Sequence, residues 1–103
     1  MKITKKKEII TEEISVEIKD YYFDIDLVLY KVTFKDVNNY TVEILHNFLN
    51  SKAIRQRTYG QYDDINYDFE QYLLGERGRE ITKEEYDLER EDIIKELLKG
   101  RAK

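Results

Sequence analysis

YYFDIDLVLYKVTF, residues 21–34, is the most apolar stretch of this 103-residue chain, and its side-chain phase changes partway along. Tyr21, Phe23, Ile25, Leu27 and Leu29 alternate on odd positions, whereas Val28, Tyr30, Val32 and Phe34 alternate on even ones. Successive side chains of a strand point to opposite faces, so one regular strand cannot move its apolar set from one face to the other. The stretch is therefore predicted as two strands, about 20–25 and 27–35, broken near Asp24-Ile25-Asp26 by a tight acidic turn. A single bulged strand buried on both faces is the alternative.

The same period continues on either side. Upstream, Ile10, Ile14, Val16 and Ile18 share one face against Thr11, Glu13, Ser15 and Glu17, the pattern of a half-buried strand, with Glu12 out of place. Downstream, Asp36-Val37-Asn38-Asn39 reads as a turn, because Asp and Asn bond their own backbone and tolerate left-handed conformations. Tyr40, Val42 and Ile44 then match Val28 to Phe34 as a hairpin partner, giving a strand over 40–46 and a short irregular segment after it. Residues 50–61 have no clean period and read as a loop or as an edge strand over 53–59.

Beyond residue 61 the period becomes helical. Ile65, Phe69, Tyr72 and Leu73 fall at i, i+4, i+7 and i+8. Asp63 or Asp64 is placed to cap this helix, Gly75 to end it, and Gly75 to Gly78 to connect it onward. Residues 81–100, ITKEEYDLEREDIIKELLKG, carry the strongest local signals. Thr82 and Glu85 have capping-box spacing, Ile81 and Tyr86 staple spacing, and Gly100 stands where a left-handed end is wanted. A helix over 83–99 follows. Its stripe is Tyr86, Ile93, Ile94, Leu97 and Leu98, with Leu88 off it, so its second half is expected to anchor and its acidic first half to project. Strands first and helices last define an α+β domain: an antiparallel meander of three or four strands with two helices over one face. The single domain divides into a basic arm over 1–8, a β-rich part over 9–60 and a helical part over 61–100.

Charged residues make up 39% of the chain and the mean hydropathy is -0.73, but aromatics at 13% argue for a folded core, because disordered chains are poor in them. There is no Cys, hence no disulfide, thiolate nucleophile or thiolate metal site, and a reducing cytoplasm is the expected compartment. Lys2, Lys5, Lys6 and Lys7 are not followed by an apolar run, so no secretory leader or membrane span is expected. The net charge of -4 is unevenly spread. Residues 62–99 hold 13 acids against 6 bases, a net -7, while residues 1–61 are nearly balanced. An acidic helical third disfavours direct nucleic-acid binding and favours a cationic partner.

No constellation points to catalysis. Asp24 and Asp26 are too few to hold a cation. Glu17-Ile18-Lys19 lacks the upstream Asp of a nuclease strand. His46, the only histidine, has no nucleophile and orienting carboxylate placed with it. The four glycines are too scattered for a phosphate loop. Neither catalytic nor metal-binding residues, nor a cofactor, are expected. Arg55, Arg57, Arg77 and Arg79, with Tyr59, would make a basic-aromatic patch for single-stranded nucleic acid if their loops met. The carboxylates of the helices are their alternative partners. The stronger candidate is acidic. Tyr59, Tyr62 and Tyr67 interleave with Asp63, Asp64 and Asp68, and Glu84, Glu85, Asp87 and Glu91 follow. Carboxylates around tyrosine rings suit docking into a cationic groove; equally, the acids are the solvated faces of two helices.

The small size, the Cys-free composition rich in Lys, Glu, Ile and Tyr, the strand-rich start and the closing Ile81-Thr82-Lys83-Glu84-Glu85-Tyr86 helix resemble small accessory proteins of phages and mobile elements. That group includes anti-CRISPR and other anti-defence inhibitors. The resemblance covers composition and element order and carries over no site residue. It implies a non-enzymatic inhibitor that occupies a nucleic-acid site on a basic host protein, in the host cytoplasm. A self-associating assembly protein, acting as a homodimer, and a nucleic-acid binder using the Lys and Arg loops are the alternatives.

Overall fold

The computed structural model describes residues 2–7 and 10–101. Readings that rest on Met1, Glu8, Ile9 and Lys103, or on which side chains of 10–14 are buried, lie outside the described residues. The elements are β1 (Lys2–Lys7), β2 (Ile10–Ser15), β3 (Tyr21–Ile25), β4 (Val28–Asp36), β5 (Asn39–Phe48), β6 (Ser51–Tyr59), α1 (Tyr67–Leu73), β7 (Arg79–Glu80) and α2 (Lys83–Arg101). Strands β3 to β6 form an antiparallel meander, and β7 adds to β3, for the order β6-β5-β4-β3-β7. This is the α+β arrangement of a sheet followed by two helices. In the basic start, β1 pairs antiparallel with β2 in a separate two-stranded sheet.

The phase switch is a hairpin. Ile25 pairs with Val28, and Asp26 and Leu27 between them have φ of 51° and 70°. Two consecutive left-handed residues match the right-handed twist of the flanking strands. The turn thus falls a residue or two beyond the expected break. At the next turn the Asp36 carboxylate accepts from the backbone N–H of Asn38 at 2.9 Å and from the Asn39 amide at 2.8 Å. Strand β5 runs on to Phe48 instead of becoming irregular, and residues 51–59 take the edge-strand alternative.

The pleat sorts the apolar residues into two cores. On one face Tyr21, Phe23, Ile25, Tyr30, Val32, Tyr40, Val42 and Tyr59 surround Phe69 of α1. On the other, Leu45 packs with Ile81, Tyr86 and Ile93, flanked by Tyr22, Leu29 and Ile54. The helices therefore cover opposite faces of the sheet, which corrects the one-face expectation. The physical reason is a second, sparser stripe. Leu29 and Leu45, directly paired across β4 and β5, stand among Lys31, Thr33, Thr41 and Glu43 and need their own cover.

Phe69 is fully buried, with ring centroids 5.1 Å from Tyr21 and 5.8 Å from Tyr40. Phe23 stacks on Tyr30 at 4.9 Å and on Tyr72 at 4.3 Å. The cap of α1 is Asn66, not Asp63 or Asp64. Its Oδ1 accepts the Phe69 N–H at 2.9 Å, its Nδ2 donates to the Tyr59 hydroxyl at 2.9 Å, and its backbone N–H donates to the Tyr40 hydroxyl at 3.0 Å. One asparagine thus satisfies the helix start and two core tyrosines, which is why α1 begins at residue 67. Gly75, at φ 73°, ends it as expected. The Gly75 N–H bonds Tyr72 O and the Glu76 N–H bonds Gln71 O, both at 3.0 Å, the two bonds of a Schellman motif.

At α2 the Glu85 N–H donates to Thr82 Oγ1 at 3.1 Å, while the Glu85 carboxylate meets the Thr82 hydroxyl at 3.4 Å. Ile81 and Tyr86 are buried in one cluster, as the staple spacing predicts. The helix then runs through Gly100 to Arg101 instead of stopping there. Its anchoring meets the expectation only in part: Ile93 anchors the second half, but Tyr86 anchors the first and the last leucines do not. Tyr86 and Ile93 are fully buried, whereas Leu97 and Leu98 are 41% and 57% exposed. The last turns of α2 therefore leave their apolar side chains largely uncovered.

Burial raises the hydroxyl pKa of Tyr21, Tyr22, Tyr30, Tyr40, Tyr72 and Tyr86 above the ordinary 10.0. Tyr30 and Tyr86 move furthest, because each also donates to a carboxylate, Asp68 at 2.9 Å and Glu43 at 2.7 Å, that would repel a phenolate. A raised folded-state pKa gives stability that is intact below the unfolded-state value and lost as pH rises beyond it. Urea unfolding followed by circular dichroism should hold steady up to about pH 9 and fall steeply above pH 10. A flat profile to about pH 11 would contradict this burial.

Candidate protein-binding surfaces

The acidic-aromatic residues do not make one face. Tyr62, Asp63, Asp64, Tyr67 and Asp68 belong to the loop and helix on the α1 side; Glu84, Glu85, Asp87 and Glu91 belong to α2 on the other side. The single surface read from the sequence is therefore two surfaces with a sheet between them.

On the α1 side several candidates have structural duties. Tyr59 is buried and stacks on Tyr40 at 5.0 Å, with the Arg57 guanidinium 4.6 Å over its ring. Asp63 folds its loop back, its carboxylate accepting the Gly60 N–H at 2.7 Å while its own N–H bonds Gly60 O at 3.1 Å. Asp68 holds the Tyr30 hydroxyl. The residues left facing outward are Tyr62, 95% exposed, Tyr67, 63% exposed, and Asp64. They border an open groove of about 500 Å³ that Arg57 and Asn66 also line. The loop beneath them is fixed at both ends, by the Gly60–Asp63 bonds and by Asn66.

On the α2 side Asp87 pairs with Lys83 at 2.7 Å, and that hydrogen bond, with the charges of Lys83, Lys31 and Arg90, holds its carboxyl below the ordinary range. Glu85 serves the cap, and Glu84 and Glu91 are exposed. The elements that seat this helix escaped the sequence reading. Glu43 Oε1 accepts from the Tyr86 hydroxyl at 2.7 Å and from Arg90 Nε at 2.9 Å. Asn47 donates to Glu89 and to Asp92, the latter at 3.2 Å, and Lys52 pairs with Asp92 at 3.7 Å. Only Tyr86 and Arg90, four apart on one helix face, hinted at a shared partner across the sheet.

The four arginines do not meet. Arg55 and Arg57 lie on β6, one edge of the five-stranded sheet; Arg77 and Arg79 lie at β7, the other edge. Arg77 pairs with Asp26 and Arg79 with Asp24, the latter at 2.9 Å, so the connector arginines take the carboxylates of the β3–β4 hairpin. These two ion pairs also use the carboxylates weighed as cation ligands. Arg57 is engaged with Tyr59, leaving Arg55 exposed.

Glu17 and Lys19 form an ordinary surface pair at 3.5 Å, and the His46 ring has Phe48 at 6.2 Å as its aromatic neighbour. Among the described residues no three His, Cys, Asp or Glu side chains are grouped to hold a metal ion, and no helix is long and apolar enough to cross a membrane. Comparison with protein-family models, with curated proteins and with solved structures found no match.

Proposed function

We propose that this chain is a non-enzymatic acidic binding module that docks on a cationic surface of a partner protein through residues 60–67. The observation that carries the reading is the pair of solvent-exposed rings, Tyr62 and Tyr67, beside Asp64 on a loop whose backbone is already fixed. Tyrosine is a favoured interface anchor, and a fixed loop loses little entropy when it binds. The net -7 of residues 62–99 steers a basic partner toward it. In biological terms the reading is a phage or mobile-element inhibitor that occupies a nucleic-acid site on a basic host defence protein, in the host cytoplasm.

A second reading is self-association through β6, an edge strand of nine residues. Lys52, Arg55 and Arg57 along it place like charges against a second copy, which opposes that pairing. Direct nucleic-acid binding has less support, because the arginines are dispersed.

The test is calorimetry against a partner isolated from host lysate, with Tyr62→Ala, Tyr67→Ala and Asp64→Lys combined. Asp63 and Asp68 stay native, since they hold the fold. Two lost anchors at about 2 kcal/mol each should weaken binding by about a hundredfold or more and flatten its salt dependence. Unchanged affinity in a variant with native circular dichroism would refute the docking loop.

A further inference from the structure

A groove of about 480 Å³ lies on the α2 face, between the β3–β4 turn, β7 and α2. Leu29 and Ile81 are its more buried apolar members; Leu27 and Leu88 are its exposed ones, at 77% and 67%. Leu27 occupies the second left-handed position of the two-residue turn, where glycine is the usual residue. A bulky side chain resists that conformation, and here it packs into no core. Leu88 likewise lies off the line of Tyr86 and Ile93 that seats α2. Neither leucine serves the fold, and both open onto one groove.

The charge of the lining indicates the occupant. Asp24 is matched by Arg79 at 2.9 Å. Glu85 and Glu89 bond the Thr82 hydroxyl and the Asn47 amide, and neither has a cationic partner among the described residues. The lining therefore carries two uncompensated carboxylates beside two exposed leucines. We infer that this groove binds a short cationic amphipathic segment of a partner protein. An apolar side chain of the segment packs between Leu27 and Leu88, and its Lys or Arg residues face Glu85 and Glu89. This site is on the opposite face from residues 60–67 and does not depend on that docking loop.

The test is fluorescence anisotropy of the full chain with a labelled peptide of about a dozen alternating leucines and lysines, beside a leucine-free peptide of equal charge. Leu27→Gly with Leu88→Ser should weaken binding of the amphipathic peptide at least tenfold, roughly one leucine anchor lost. Glu85→Gln with Glu89→Gln should weaken it and reduce its salt dependence, while Tyr62→Ala with Tyr67→Ala leaves it unchanged. Leu27→Gly should also keep or raise the thermal midpoint, since glycine fits the turn, so lost binding is not unfolding. Equal binding by the Leu27→Gly, Leu88→Ser variant, or equal binding of the leucine-free peptide, would overturn the inference. So would wild-type self-association in the ultracentrifuge that these substitutions abolish, because the occupant would then be a second copy.

Discussion

Phe69→Ala is expected to lower the unfolding free energy by about 3–5 kcal/mol, among the largest losses available from a single side chain on the α1 face. Phe69 is fully buried and lies in ring contact with Tyr21, Phe23, Phe34 and Tyr40. The two tyrosines among them are held by hydrogen bonds, Tyr21 to Glu17 O at 2.6 Å and Tyr40 from the Asn66 N–H at 3.0 Å, so they cannot collapse freely into the space. A cavity that cannot collapse adds to the lost burial. A domain of this size has about 5–15 kcal/mol in total, so the variant should be partly unfolded at moderate temperature. Phe69→Leu keeps an apolar side chain and should lose distinctly less. Urea unfolding measures both; a loss under about 1 kcal/mol for Phe69→Ala would mean that the aromatic cluster repacks.

Tyr86→Ala should act as strongly on the other face, again by about 3–5 kcal/mol. It removes a fully buried ring that sits edge-on to Tyr22 at 5.6 Å and leaves Ile93 as the remaining fully buried side chain of α2 among those described. Tyr86→Phe separates the ring from its hydroxyl. It takes one donor from the largely buried Glu43 carboxylate and leaves Arg90 in place, for a loss of about 1–3 kcal/mol. If Tyr86→Phe lost as much as Tyr86→Ala, the hydroxyl rather than the ring would be the anchor. Helix content by circular dichroism reports whether α2 has detached.

Much of the fold was legible where the signal is local. The odd-to-even switch in residues 21–34 requires a turn, and the turn is there at Asp26 and Leu27. The Thr82–Glu85 spacing locates the start of α2 to the residue. What was not legible depends on distant partners. Lys31, Thr33, Thr41 and Glu43 make the second sheet face read as polar, and the partners of Glu43, Tyr86 and Arg90, arrive from over 40 residues away. Helical periodicity places Leu97 and Leu98 on the apolar stripe of α2 but cannot say where the sheet beneath it stops. For the same reason the acidic-aromatic residues looked like one surface: spacing along the chain is blind to which side of the sheet each helix takes. Asn66 was passed over because Asp63 and Asp64 are equally good capping residues, and only Tyr40 and Tyr59 single it out.

The bonds that seat α2 on β5 span 42 to 47 residues of chain. The turns at residues 26–27 and 49–50, by contrast, close between immediate sequence neighbours. Loop-closure entropy must be met before distant contacts reward it. Closure entropy therefore favours pairing of the meander before α2 docks, an order that hydrogen-exchange labelling during refolding would check. On that order the groove beside Leu27 and Leu88, walled by that helix, would be completed only when α2 docks.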